Sequence, residues 1–159
     1  MKLYFLRHGL AEDRAKWQSA DFERPLTEEG KEKMKREAAT IANLGLELDL
    51  IVTSPLARAF QTAEIVAKKL ELLDKLITDG RLSPGFRHGA LGRLIRAYPK
   101  VATLMLVGHE PDFSATISYL IGGGRIDCKK GSLACVDIPD PSRLRGDLMW
   151  LLPPKVLAP

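Results

Sequence analysis

The sequence has few cysteines, histidines and aromatic residues, and each shortage excludes a class of protein. Its 159 residues include 2 cysteines, 3 histidines and 6% aromatics. Cys128 and Cys135 have neither CxxC spacing nor metal-ligand neighbours, so we expect reduced thiols rather than a disulfide. His8, His88 and His109 lie in separate segments without ligand-type spacing, which disfavours a histidine-based metal site.

Long apolar runs and a strong charge of one sign are absent as well. The first apolar stretch stops at Arg7, which is not typical of a signal peptide, and no segment approaches the roughly 18 apolar residues of a membrane helix. A net charge of +4 suits an acidic or phosphorylated partner, but no Lys/Arg run is interleaved with aromatic residues as in nucleic-acid-binding segments. We therefore expect a cytoplasmic protein that binds neither membranes nor nucleic acid.

Strand-like and helical segments alternate along the chain. Short apolar runs predict strands over 2–6, 49–53, 77–78, 103–107, 132–138 and 147–152. Helical patterns occupy 27–43, 54–70, 90–97 and 111–121. Such alternation predicts an α/β fold, a three-layer α/β/α domain with a mostly parallel central sheet. We place this single domain at 1–152 and expect a loosely held C-terminal tail at 153–159.

Two of the helices have clear start signals. Thr27 is a candidate N-cap because the acidic residues Glu28 and Glu29 follow it. Ser54 and Pro55 have the residue types of an N-cap and a first helical position. These signals predict that the two helices begin directly after Thr27 and Ser54.

Basic residues stand at three strand-to-helix junctions. Arg7 and His8 follow the first strand, Arg58 lies one turn inside the helix after the second, and His109 follows the fourth. In an open α/β sheet such junctions gather at one edge, where ligands bind. Gly9 is expected to let the backbone turn and a ligand approach closely. Two arginines, two histidines and two helix N-termini together predict a site for a dianionic, tetrahedral group such as phosphate.

Four motifs stand in a fixed order: Arg-His-Gly at 7–9, Arg-Pro-Leu-Thr-x-x-Gly at 24–30, Ser-Pro-x-x-Arg-x-x-Gln-Thr at 54–62 and Gly-His at 108–109. Over about residues 1–150 they resemble the histidine phosphatase, or phosphoglycerate-mutase-like, superfamily. No large insertion fits between Thr62 and Gly108, and the last motif continues as Gly-His-Glu-Pro. Both features are similar to those of the small bacterial phosphohistidine phosphatases.

The resemblance implies a nucleophilic histidine, His8, that takes the phosphoryl group and is then hydrolysed. A neutral imidazole has a nitrogen lone pair near pH 7 and needs no base to activate it. The resemblance further implies that Arg7, Arg58 and His109, beside Gly9, bind the phosphoryl oxygens that carry charge in the transition state. Because these groups supply the charge stabilisation, we expect neither a metal ion nor another cofactor.

The chain departs from the superfamily pattern at the proton donor. Many members have a carboxylate just before the Leu-x-Pro of the middle loop, whereas here Arg81 precedes Leu82 and Asp79 stands two residues earlier. The candidate proton donors are therefore Asp79 and Glu110, although an acid at a helix start is usually a cap. The departure disfavours alkyl phosphate esters, whose alkoxide leaves poorly. Phosphohistidine is less demanding because imidazole is a better leaving group.

A second Arg-His-Gly triplet occurs at 87–89. It follows Ser83-Pro84-Gly85-Phe86 rather than a strand, so nothing directs it toward the edge of the sheet. We expect a loop feature, with contact between Arg87 or His88 and the partner as the alternative.

The leading hypothesis is a metal-independent phosphatase of phosphohistidine in a protein. By family resemblance, its partner is a phosphotransfer domain of two-component signalling or of a sugar phosphotransferase system. The first alternative is a metal-independent phosphatase of small phosphate esters, and the second is a non-catalytic module that binds phosphoproteins. The intact set of Arg7, His8, Arg58 and His109 disfavours a module that only binds. The sequence leaves the oligomeric state open.

Overall fold

A computed structural model describes residues 1–159 and contains one six-stranded sheet. Its strands are β1 (Lys2–Arg7), β2 (Leu50–Thr53), β3 (Leu76–Thr78), β4 (Thr103–Gly108), β5 (Leu133–Asp140) and β6 (Arg145–Leu152). The spatial order is β3-β2-β4-β1-β5-β6; the first four strands are parallel, whereas β5 and β6 run antiparallel to their neighbours. The mostly parallel sheet predicted from the sequence is confirmed.

Helices cover both faces of the sheet and complete the three layers. They are α1 (Glu28–Asn43), α2 (Ala57–Lys69), α3 (His88–Ala97), α4 (Asp112–Leu120) and the short α5 (Pro154–Leu157). Alternate side chains of β1 point to opposite faces, so Leu3 and Phe5 join one core cluster while Tyr4 and Leu6 join the other. The first cluster includes residues of α3 and α4, and the second includes residues of α1, α2 and α5. No helix combines the length and apolar character needed to cross a membrane.

The two predicted helix starts have different outcomes. The N-cap at Thr27 is confirmed, since its hydroxyl accepts a hydrogen bond from Gly30 N at 2.9 Å. The start at Ser54 is wrong, because α2 begins at Ala57 with Leu56 in extended conformation as its N-cap. The Ser54 hydroxyl accepts a 3.3 Å hydrogen bond from Leu56 N ahead of the helix and also forms a 2.8 Å hydrogen bond with a ring nitrogen of His109, 55 residues away. Ser54 thus makes a local turn and a tertiary contact without being the helix cap.

The C-terminal segment is part of the packed domain, which corrects the expectation of a loosely held tail. Residues Pro154–Leu157 form α5, and the Leu157 side chain is fully buried in the core cluster that contains α1 residues. The Leu157 carbonyl accepts a 2.6 Å hydrogen bond from the Thr40 hydroxyl of α1. The apolar side chain thus anchors a segment whose prolines suggested only a flexible end.

A buried carboxyl group lies beneath the end of β1. Glu37 of α1 is 1% exposed, and its Oε2 has no hydrogen-bond partner. It packs against Gly131, where a Cβ would come within 2.5 Å of Oε2. The Gly131 N–H in turn donates to the carbonyls of Arg7 and His8. Burial raises the pKa of Glu37 to about 7.

Glu37 is expected to make the protein less stable as the pH rises. Its pKa is higher in the folded than in the unfolded protein. The stability that the protonated Glu37 contributes is therefore fully present below about pH 4.5 and is lost as the pH rises through about 7. The free energy of unfolding of Glu37→Gln should therefore be up to about 3 kcal/mol higher than that of the parent at pH 8, and the difference should be much smaller at pH 5. Urea unfolding at both pH values measures this, with exposed Glu64→Gln as the control. A Glu37→Gln variant less stable than the parent at pH 8 would contradict the expectation.

Candidate active site

The three basic junctions meet at a cleft of about 720 Å³ at the carboxyl ends of β1 and β4. His8 and His109 line this cleft together with six cationic and four acidic residues. The cationic residues are Arg7, Arg14, Lys16, Arg24, Arg58 and Lys130, and the acidic ones are Glu12, Asp13, Asp21 and Glu110. The predicted convergence of Arg7, His8, Arg58 and His109 is thus present in the structure.

The ring of His8 is buried and held in one orientation. His8 follows β1 directly and is 5% exposed. Its Nδ1 lies 2.8 Å from the carbonyl oxygen of Gly9, which can only accept, so Nδ1 carries the hydrogen and Nε2 keeps a lone pair. Burial, with smaller effects of the nearby His109, Arg58 and Arg7, lowers the pKa of His8 to about 3 against the opposing hydrogen bond to Gly9. The imidazole is therefore neutral near pH 7.

His109 faces His8 across the site from the end of β4. The two ring centroids are 5.3 Å apart. The Nε2 of His109 is 2.8 Å from the Ser54 hydroxyl oxygen, while its Nδ1 is buried without a partner. Burial, followed by the charge of Arg58, lowers the pKa of His109 to about 4. His109 is thus neutral near pH 7 and offers an N–H rather than the positive charge expected from the sequence.

Arg58 lies in the first turn of α2, and its guanidinium contacts the loop between β1 and α1. Its Nη1 donates to the backbone oxygen of Asp21 at 3.0 Å and its Nη2 to the Asp21 carboxylate at 3.1 Å, whereas Nε is buried without an acceptor. Arg24 donates from Nε to the same carboxylate at 2.9 Å. Burial lowers the pKa of Arg58.

Arg7 brings the second guanidinium to the cleft. Its Nη1 donates to the backbone oxygen of Cys128 at 2.8 Å, and its Nε is buried without an acceptor. Burial lowers the pKa of this side chain, with Glu110 opposing the change. Arg7 Nε, Arg58 Nε and His109 Nδ1 are thus three buried nitrogens of cleft residues that have no protein partner. Each of these nitrogens lacks an acceptor, and an anion with several oxygens could provide acceptors for them.

Comparison with known proteins identifies the family. The sequence model of the histidine phosphatase superfamily (branch 1) matches residues 3–83. An uncharacterized protein of Picosynechococcus sp. is 39% identical over 84% of this chain and 82% of its own. The chain belongs to the histidine phosphatase superfamily. The matched stretch includes Arg7, His8 and Arg58, and β4 brings His109 to the same cleft.

Within the superfamily the chain resembles the phosphohistidine phosphatase SixA. It is 28% identical to SixA of Escherichia coli over 76% of this chain and 72% of that protein. The solved structure of the protein histidine phosphatase SixA complexed with tungstate has a TM-score of 0.86 at 25% identity, covering 98% of both chains. The chain is also 31% identical to the 2,3-bisphosphoglycerate-dependent phosphoglycerate mutase of Histophilus somni, but spans only 64% of that protein's length.

Two residues that the sequence assigned to the site have other roles in this histidine phosphatase. Gly9 does not line the cleft; a Cβ there would lie 3.2 Å from Met34, so the absent side chain accommodates α1 rather than a ligand. Asp79 does not line the cleft either. Its carboxylate accepts hydrogen bonds from Arg81 at 2.9 and 3.1 Å, which lower the pKa of Asp79 and keep it ionised. Both assignments are therefore corrected.

Glu110 is the candidate proton donor that the structure places in the cleft. Its Oε1 accepts a hydrogen bond from Ser114 N in the first turn of α4 at 2.9 Å. This bond is the capping contact that an acid at a helix start usually makes, and it occupies one of the two carboxylate oxygens.

The second triplet belongs mainly to a helix rather than a loop, which corrects that expectation. His88 is the first residue of α3, and its ring stacks on Tyr119 with centroids 3.7 Å apart. Arg87 precedes the helix and pairs with the buried carboxylate of Asp112, which also accepts from Gly85 N. Neither Arg87 nor His88 lines the cleft of the histidine phosphatase site.

Several residues of the site could not be located from the sequence. Arg24 stands in the motif at 24–30, but no local pattern indicates that its guanidinium reaches the cleft. Asp21 and Ser54 were missed because their partners, Arg58 and His109, are 37 and 55 residues away. The signal that could have located Arg24 was its position in the motif at 24–30.

We predict that His8 is the Nδ1–H tautomer and stays neutral from pH 8 to pH 5. The reason is its bond to the Gly9 carbonyl together with a pKa of about 3. Nitrogen-15 NMR of the imidazole rings over this pH range measures both properties, with His8→Gln to assign the signal. Protonation of His8 near pH 6.5 would show that burial does not lower its pKa. A hydrogen on Nε2 would show that the Gly9 carbonyl does not determine its tautomer.

Proposed function

We propose that this member of the histidine phosphatase superfamily is a phosphohistidine phosphatase that acts on a protein. The observation that carries the proposal is the His8 tautomer: Nδ1 is committed to the Gly9 carbonyl, so the lone pair on Nε2 is free beside Arg7, Arg58 and His109. This is the arrangement of a nucleophile inside a binding site for a phosphoryl group.

In the first step, Nε2 of His8 attacks the phosphorus of the substrate phosphohistidine. A P–N bond to His8 forms while the P–N bond to the substrate imidazole breaks, and the departing imidazole nitrogen takes up a proton from solvent. In the second step, a water oxygen bonds to phosphorus, the bond to Nε2 breaks, and the water returns one proton to solvent. The products are inorganic phosphate and neutral His8, ready for the next cycle.

Charge on the transferring phosphoryl group is stabilised by the side chains around it. Arg7 and Arg58 supply two guanidiniums that line the cleft. His109 supplies an N–H: when the Ser54 hydroxyl donates to Nε2, the hydrogen of His109 sits on the unpaired Nδ1. These donors bind oxygens that gain charge in a loose phosphoryl-transfer transition state.

The scarcity of proton donors favours phosphohistidine over phosphate esters. With Asp79 paired to Arg81, Glu110 is the remaining candidate of the two, and one of its oxygens is already a helix cap. An imidazole leaves readily, whereas an alkoxide needs a proton as the bond breaks. The resemblance to SixA of E. coli, and to the solved SixA structure, supports the same substrate class.

The alternative is a metal-independent phosphatase of small phosphate esters. The observation that favours it is Glu110, whose second carboxylate oxygen has no protein partner and whose side chain lines the cleft. In this case Glu110 would protonate the alkoxide. The two functions therefore differ in whether Glu110 is essential.

We predict a higher kcat/KM for a phosphohistidine protein than for an alkyl phosphate ester such as glycerol 3-phosphate, with no loss of activity in EDTA. Proton delivery by a general acid is typically worth about 10²–10⁴-fold, which an ester needs and phosphohistidine does not. The measurement compares both substrates on the parent, Glu110→Gln and the control Glu12→Gln, another carboxylate of the cleft.

Glu110→Gln should leave the phosphohistidine activity within a few fold of the parent. If the ester is cleaved as well as phosphohistidine, and Glu110→Gln but not Glu12→Gln removes that ester activity, the small-ester function replaces ours. Binding of the phosphoprotein without turnover would instead support a module that only binds.

A further inference from the structure

Asp21 accepts hydrogen bonds from two guanidiniums of the cleft. It lies in the 3₁₀ turn Asp21–Glu23 on the loop between β1 and α1. Arg58 donates to its backbone oxygen and to Oδ2 at 3.0 and 3.1 Å, and Arg24 donates to Oδ1 at 2.9 Å. The side chain of Arg58 is 6% exposed and that of Arg24 is 11% exposed. One acidic residue therefore holds two largely buried cations.

The contacts of Asp21 fix the orientation of the Arg58 guanidinium. A guanidinium presents five N–H donors in one rigid plane. Asp21 accepts one hydrogen bond from each Nη of Arg58, through its backbone oxygen and its carboxylate. The Nε has no acceptor and is shielded from solvent. The two contacts therefore hold the plane of the guanidinium where Arg58 lines the cleft.

Asp21 also reduces the repulsion between the two guanidiniums. The charge of Arg24 lowers the pKa of Arg58, and the charge of Asp21 opposes this effect. Burial disfavours the ionised Asp21 carboxylate, but the hydrogen bond from Arg24 and the charge of Arg58 outweigh it, so the pKa of Asp21 lies below its ordinary value. The carboxylate is therefore ionised near pH 7 and separates the two cations.

We propose that Asp21 is the positioning residue that orients the Arg58 guanidinium toward the transferring phosphoryl group. The identity of that group rests on the function proposed above. Asp21 does not touch the phosphorus itself; it acts through Arg58, whose planar donors bind phosphoryl oxygens only in a correct orientation.

The test is a double-mutant cycle with Asp21→Asn and Arg58→Ala. Asparagine replaces one carboxylate oxygen by an NH₂ group that faces a guanidinium N–H, so Arg58 should turn away. We expect kcat to fall by about 10²-fold with a smaller change in KM, as for other small misplacements of catalytic groups. In the Arg58→Ala background Asp21→Asn should cause almost no further loss, and Asp21→Glu, which keeps both oxygens, should recover part of kcat.

Glu23→Gln is the matched control, because Glu23 lies in the same 3₁₀ turn as Asp21, is exposed and does not line the cleft. It removes the same charge without touching a guanidinium, so its kcat should equal that of the parent. Equal losses for Asp21→Asn in the parent and Arg58→Ala backgrounds would overturn the proposal, since Asp21 would then act independently of Arg58.

Orthovanadate binding tests the proposal without any substrate. Its dissociation constant, measured by calorimetry, should rise about tenfold in Asp21→Asn, the value of one hydrogen bond to a charged group, and stay unchanged in Glu23→Gln. Binding to Asp21→Asn that equals or exceeds binding to the parent would overturn the proposal. If the parent fails to hydrolyse phosphohistidine, the proposed function fails, whereas this arm still decides the role of Asp21.

Discussion

The hydrogen bond from His8 Nδ1 to the Gly9 carbonyl determines what the cleft can do, because it leaves the lone pair on Nε2 free for the role of nucleophile that we propose. The backbone around this bond is fixed from two sides. The Gly9 N–H donates to the Thr62 hydroxyl, which itself donates to the backbone oxygen of Arg58. The Gly131 N–H donates to the carbonyl of His8. The backbone next to His8 and the first turn of α2 are therefore linked through the Thr62 hydroxyl.

The cleft is lined by histidine and arginine side chains, which are costly to bury without hydrogen-bond partners. Burial lowers the pKa values of His8 and His109 to about 3 and 4, so both rings are neutral near pH 7 and the fixed positive charge comes from arginines. Three nitrogens of Arg7, Arg58 and His109 lack acceptors in the protein. Such unpaired donors reduce the stability of the fold, a cost that is typical of groups held in a fixed orientation at a functional site.

Local patterns predicted the features that depend on local physics. An apolar run followed by Arg7 located the end of β1, and Thr27 was correctly predicted to cap α1. The failures arose at residues whose contacts lie far away in the sequence. Ser54 bonds to His109 and does not cap α2, and the side chain absent at Gly9 makes room for a helix rather than a ligand. Burial also lowers the pKa of His109, so that its ring is neutral near pH 7. No local sequence pattern predicts how deeply this side chain is buried.

The most direct test of the account is to identify the residue that carries phosphate during turnover. The parent protein is mixed with a ³²P-phosphohistidine protein, quenched in alkali within milliseconds, digested and analysed by mass spectrometry. The account predicts an acid-labile, base-stable phosphate on Nε2 of His8, absent from a His8→Ala variant that is folded but inactive. Phosphate on His88, or normal turnover by His8→Ala, would contradict it.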